Sequence, residues 1–212
     1  MLMRRSGVLF LIIGGLAASA ISAPRTAVHS ETRVALLIHS GFGFPEENNL
    51  RGGFEAGFGI ILPLAPRLSL ATEFLEWKDT AKQSYGKLYN GTLTLAPLLA
   101  SLHYEFYANA YFTAYGLAGA AYMLTRFRIG SYVSAPEVKI DQNVDRGLAL
   151  FGGLGANLAL ATNLVFYFEA SYLRRSLPAT TITRDVNVGE SETRITANLR
   201  HVFLKFGLKL YF

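Results

Sequence analysis

Eight times along this chain, large residues fall on every second position over about ten residues, the length of a tilted strand that crosses a bilayer. The last stretch shows it most plainly. In "VFLKFGLKLYF" the even positions Val202, Leu204, Phe206, Leu208, Leu210 and Phe212 are all apolar. The odd positions Phe203, Lys205, Gly207, Lys209 and Tyr211 are mixed, charged or small. A strand turns two such sets to opposite faces.

The same alternation sets Leu164, Phe166, Phe168, Ala170 and Tyr172 against Val165, Tyr167, Glu169, Ser171 and Leu173. It sets Leu148, Leu150, Leu154, Leu158 and Leu160 against Ala149, Gly153, Gly155 and Asn157. "FTAYGLAGAAYMLTRF" places Tyr115, Leu117, Met123 and Phe127 opposite Ala114, Gly116, Ala118 and Ala120. Leu98, Leu102, Tyr104 and Phe106 oppose Leu99, Ser101, His103 and Glu105, and Leu68, Leu70 and Phe74 oppose Ser69, Ala71 and Glu73. Phe54, Phe58, Ile60 and Leu62 oppose Glu55, Gly57 and Gly59, while Val34, Leu36, Ile38, Phe42 and Phe44 oppose His39, Gly41 and Gly43.

Connections between these stretches alternate in length. Short ones fall at Pro63–Arg67, Ala108–Tyr111 and Ala161–Asn163; long polar ones fall at Pro45–Gly52, Asp79–Gly91, Gly130–Gly147 and Ser176–Thr193. Short turns at one end and long loops at the other predict an all-β, closed eight-stranded antiparallel transmembrane barrel, with periplasmic turns and extracellular loops. Hydrophobic residues make up 51% of the chain, yet past residue 23 charged, polar and Gly residues interrupt every apolar run, which excludes a spanning helix. A closed barrel is then what satisfies the backbone in lipid. A soluble barrel would put its bulky apolar set inside. Here Gly and Ala keep company with Glu, Lys and His, which predicts a tight polar interior and a wall of Leu, Phe and Tyr outside. Phe44, Tyr104, Phe106, Tyr172 and Phe212 stand near strand ends, as interfacial girdles do.

The amino terminus reads as an address. Arg4-Arg5, the apolar "VLFLIIGGLAA" and the small residues "ASAISA" form an export signal over residues 1–23, with cleavage after Ala20 or Ala23, leaving 24–212 as one barrel domain. Of 20 basic residues, Arg4 and Arg5 leave with the signal and the rest face 15 acidic ones. So mild a surplus, without a basic aromatic-studded patch, gives no nucleic-acid partner. The absence of Cys excludes a disulfide scaffold and a Cys-ligated metal. No cofactor is expected.

The chain resembles the small eight-stranded outer-membrane barrels of the OmpA transmembrane-domain and OmpX type, over essentially all of the mature sequence. The resemblance rests most on the terminal pattern Lys205, Gly207, Leu210 and Phe212, with Leu210 where an aromatic is commoner. "APRLSLATEF" looks like the second hairpin of such proteins. What the resemblance implies is an assembly signal read by the barrel-insertion machinery, and no further domain after the barrel.

Inward parity collects Arg33, Lys205 and Lys209 with Glu55, Glu73, Glu105 and Glu169, and His39 and His103 share it. Counting from the periplasmic ends puts Glu169 and Lys205 at similar height on neighbouring strands. A buried charge needs a partner, so these residues are expected to form an ion network that fills the lumen; a gate for a narrow ion pathway is the alternative. Ser101, His103 and Glu105 share one face, but strand spacing is expected to hold them too far apart for a triad, at the end away from the outer leaflet. His39 and Ser40 are adjacent and face opposite sides. No catalytic set and no metal site are expected. Asn90-Gly91-Thr92 matches a glycosylation sequon by chance.

Arg174 and Arg200 fall on the outward parity just above the apolar bands, where guanidinium groups suit lipopolysaccharide phosphates. The expected partners are therefore outer-membrane lipid, lipopolysaccharide and the assembly machinery, for a monomer in the outer membrane. The leading role is structural or interaction-based through the loops, ahead of a narrow pore or an outer-leaflet lipid enzyme, because fold alone does not select function.

Overall fold

A computed structural model describes residues 33–46, 50–81, 91–129, 138–185 and 189–212. Residues 1–23, expected to be an export signal, and Asn90 lie outside them. Ten strands follow in chain order: β1 (Ala35–Pro45), β2 (Leu50–Arg51), β3 (Phe54–Ala65), β4 (Leu68–Ala81), β5 (Gly91–Ala108), β6 (Phe112–Ile129), β7 (Val138–Val144), β8 (Gly147–Ala159), β9 (Leu164–Asp185) and β10 (Gly189–Tyr211).

Eight of them close a ring in the order β1-β3-β4-β5-β6-β8-β9-β10, every pair antiparallel, and β10 returns to β1. Closure runs from Ala35 opposite Tyr211 to Pro45 opposite His201, which removes the sheet edges over that span. Register partners share parity around the ring, so odd residues face in and even residues face out. Register shifts occur at Pro63/Ala65 and Glu105/Tyr107, both beside short turns. One of those turns is Pro66-Arg67, with Arg67 at φ 65°. In another, Asn109 accepts bonds through Oδ1 from the Tyr111 and Phe112 amides, each 2.9 Å long, which tightens the chain reversal.

The outward wall carries Ile38, Phe58, Leu98, Leu102, Leu148, Leu150 and Leu154, and the five aromatics expected at strand ends also face outward. Two expectations need correction. On β6 the faces are reversed: Tyr115, Leu117 and Met123 are buried in the lumen with Phe127 packed against that cluster, while Ala118 points out. The reason lies on β8. Gly155 pairs with Tyr115, and a Cβ there would sit 2.1 Å from the Tyr115 ring, so the missing side chain is the space the ring fills.

The interior is also not uniformly polar. Above a polar layer, Leu75, Trp77, Leu93, Leu95, Leu117, Met123, Leu173, Leu199 and Phe203 form an apolar core. Below it, Ala35, Leu37, Ile61, Val165, Tyr167 and Tyr211 form a second.

The long connections hold more strand than their polarity suggests. β4 continues to Ala81, β2 and β7 lie within two of the expected loops, and β9 and β10 extend to Asp185 and Gly189. β7 pairs with β9, giving a three-stranded sheet that rises from the rim. On β10 both faces of residues 189–194 are exposed and apolar alternation disappears, whereas on β9 Ala179 and Thr181 are still buried. There Thr180, Thr181 and Ile182, like Thr193 and Thr196 on β10, keep high strand propensity.

Candidate functional site

The polar layer is built from one side chain on each of several strands. Lys205 on β10 opposes Glu169 on β9 and, on its other side, Gly41 on β1; Gly41 in turn opposes Glu55 on β3. The Lys205 ammonium lies 3.1 Å from Glu169 Oε1 and 3.3 Å from Glu73 Oε2. His39 Nε2 lies 3.3 Å from the same Glu73 oxygen. It reaches across Gly57, where a Cβ would fall 2.6 Å from that nitrogen.

Glu55 is fully buried, and a Cβ on Gly41 would sit 2.8 Å from its Oε1. Glycines therefore set where charged side chains can cross the narrow lumen. Among the described residues, two carboxylates, Glu73 and Glu169, pair with one ammonium in this layer and Glu55 is buried in it as a third acid. Burial makes that ammonium's loss costly.

Lys209 stands one step lower. It donates to Asn157 Oδ1 at 2.8 Å and lies 4.5 Å and 4.7 Å from the ring centres of Tyr115 and Tyr167, a cation–π arrangement. The Tyr115 hydroxyl donates to Glu169 Oε2 at 3.4 Å.

Of the expected lumen set, the structure thus brings together Glu55, Glu73, Glu169 and Lys205, with Lys209 beside them. Arg33 and Glu105 line a small cavity of about 10 Å³ at the periplasmic mouth with Asn157 and Tyr211.

His103 stacks on Tyr115, 5.0 Å between ring centres and 9° between planes, and its Nε2 lies 3.0 Å from Ser101 Oγ. Strand spacing alone would keep these two apart; the imidazole is long enough to span same-face neighbours two residues apart. The cavity beside them holds about one water, with no room for a lipid substrate.

Glu73, His103 and Glu169 offer ligand atoms within 4.8 Å of one another. Lys205 already touches both of those carboxylates, and its fixed positive charge opposes a metal ion there.

A second buried pair lies in the upper core. His201 Nε2 is 2.7 Å from Asp79 Oδ2, both side chains fully buried, and Trp77 Nε1 donates to the same oxygen at 3.3 Å. The His201 ring also stacks on Phe203. Sequence reading misses this pair by placing Asp79 in a loop. The odd numbers of Asp79 and His201 are the available signal.

On the outer surface, Arg174 and Arg200 are direct cross-strand partners, and Glu46 lies 3.8 Å from Arg200. At the carboxyl end, Lys205 and Gly207 face in, Leu210 and Phe212 face out, and the Phe212 amide donates to the Val34 carbonyl.

No protein-family model and no curated protein sequence matches the chain. Solved structures do. The outer membrane protein OprG from Pseudomonas aeruginosa superimposes with a TM-score of 0.68 at 15% identity, over 86% of this chain and 97% of that one. Neisserial surface protein A gives 0.57 at 15% identity, over 84% and 97%. A major outer membrane protein from Thermus thermophilus gives 0.58 at 13% identity, over 84% and 99%. The fold is that of the small eight-stranded outer-membrane β-barrels.

Proposed function

We propose that this chain is an outer-membrane barrel with a structural or contact-making role, exerted through its extracellular face rather than through its lumen. One observation carries the reading: the interior is filled, with the Glu55–Glu73–Glu169–Lys205 layer between two apolar cores. The surface left to act is the β7-β9-β10 sheet. β9 is 22 residues long, and about ten suffice to cross a bilayer. Its remaining half offers a platform for envelope or host contact, since barrel loops and their bases carry specificity.

Planar-bilayer recording of the purified barrel tests this. No unitary conductance is the expected result, and steady single-channel steps would overturn it. A narrow cation pathway is the second reading, favoured by the three carboxylates around Lys205, and the same recording decides between the two. Export to the outer membrane, insertion by the assembly machinery through the β10 segment, and a monomeric state complete the proposal.

A further inference from the structure

Two rungs of the outer wall carry a pattern unrelated to the lumen. Lys78 on β4 opposes Thr94 on β5, and Thr94 opposes Arg126 on β6; the neighbouring rung repeats this with Thr80, Thr92 and Arg128. All six positions are even, so all six side chains leave the barrel on its outside. Short Thr94 between Lys78 and Arg126, with Thr80 and Thr92 beside Arg128 in the next rung, leaves a cleft, closed on the β4 side by Glu76, which pairs with Lys78 at 3.1 Å. With strands about 4.8 Å apart, the Lys78 and Arg126 backbones stand about 10 Å from each other, wide enough to seat a phosphate between their side chains.

Height fixes what the cleft meets. Four residues toward the periplasm on the same outward columns lie Phe74, Leu98 and Tyr122, the last two exposed. The cleft therefore opens just above the apolar belt, where an outward wall touches lipid headgroups. Three cations against one carboxylate leave it positive. Arginine forks match phosphate oxygens in pairs, and threonine hydroxyls can donate to the same group. At the Arg174–Arg200 pair the two guanidinium groups oppose each other without a short residue between them, and Glu46 lies beside Arg200.

We propose that Lys78, Thr92, Thr94, Arg126 and Arg128 form a binding site for the phosphate of a phosphorylated outer-leaflet glycolipid, with Arg174 and Arg200 as a weaker second contact. The site goes beyond the role proposed above and shares no residue with the lumen, so bilayer conductance and lipid retention fail or succeed separately.

The test uses the intact barrel in dodecyl maltoside micelles, titrated with bis-phosphorylated lipid A and followed by native mass spectrometry. Each cation near an anionic headgroup is worth about fivefold in affinity. K78Q/R126Q/R128Q should therefore weaken binding on the order of a hundredfold. Removing the lipid's phosphates should have a similar effect, and K78R/R126K/R128K, which keeps every charge but loses the two arginine forks, should bind between the parent and the triple Gln variant. R174Q/R200Q should cost about tenfold or less. Millimolar inorganic phosphate should not displace the lipid.

Unchanged binding by the triple Gln variant, equal binding of dephosphorylated lipid, or full displacement by inorganic phosphate overturns the site. So does a larger loss in R174Q/R200Q. Unboiled gel migration confirms that each variant is still a barrel.

Discussion

Replacing Lys205 by Met leaves Glu73, Glu169 and Glu55 facing one another in the lumen without their ammonium. The two ion pairs it breaks are 3.3 Å and 3.1 Å long, between side chains no more than 3% exposed. At an effective dielectric near 20, each is worth roughly 5 kcal/mol before desolvation. Met carries no ammonium to desolvate on folding, which offsets a large part, so the net loss should fall at about 3–5 kcal/mol, the range for removing one partner of a buried pair. Trp77 is the only tryptophan and is buried in the upper core, so its fluorescence follows unfolding directly. Urea unfolding of the barrel in lipid vesicles should show that loss for K205M. The variant K205M/E55Q/E73Q/E169Q should recover to within about 2 kcal/mol of the parent, because neutralising the whole group removes the uncompensated charge. If K205M alone lay within about 1 kcal/mol of the parent, the layer would be hydrated enough to screen its own carboxylates. The filled-lumen reasoning would then be wrong.

Gly155→Ala should destabilise the barrel by about 1–3 kcal/mol through overpacking against the Tyr115 ring. Adding Tyr115→Leu should relieve part of that loss in the same unfolding assay. His201→Leu should cost about 3–5 kcal/mol, since it leaves the Asp79 carboxylate buried with only the Trp77 N–H. Asp79→Leu combined with His201→Leu should recover most of it, as read from the urea midpoint.

Seven of the eight barrel strands are legible because lipid on one side and a packed lumen on the other impose period two. β6 misleads for a physical reason. A lumen-facing residue can be large when its neighbour is glycine, and the Tyr115–Gly155 pairing is a property of two strands that single-strand parity does not reveal. The upper parts of β4 and β9 read as loops because the inward positions there are polar, Asp79, Arg175 and Thr181, although they are buried. The upper part of β10 does so because residues 189–194 are exposed on both faces.

Glu55, Glu73, Glu169 and Lys205 can be placed on one face from their numbers. That Lys205 reaches Glu73, on a strand that does not adjoin β10, depends on the narrowness of the closed ring. Asp79 and His201 lie 122 residues apart, and nothing local in the sequence links them.

The ammonium of the polar layer is carried by the last strand, whereas two of its carboxylates are carried by β3 and β4, near the start. In a chain whose β10 has not yet docked on β1, those early glutamates have no cation from the layer to face. Sealing the seam and neutralising the interior are therefore one event, and a half-shut barrel gains little of either. Contacts between sequence-distant ends such as these are slow to form. The arrangement also makes the carboxyl-terminal strand the latch: until Lys205 arrives, the wall has reason to stay open and wet.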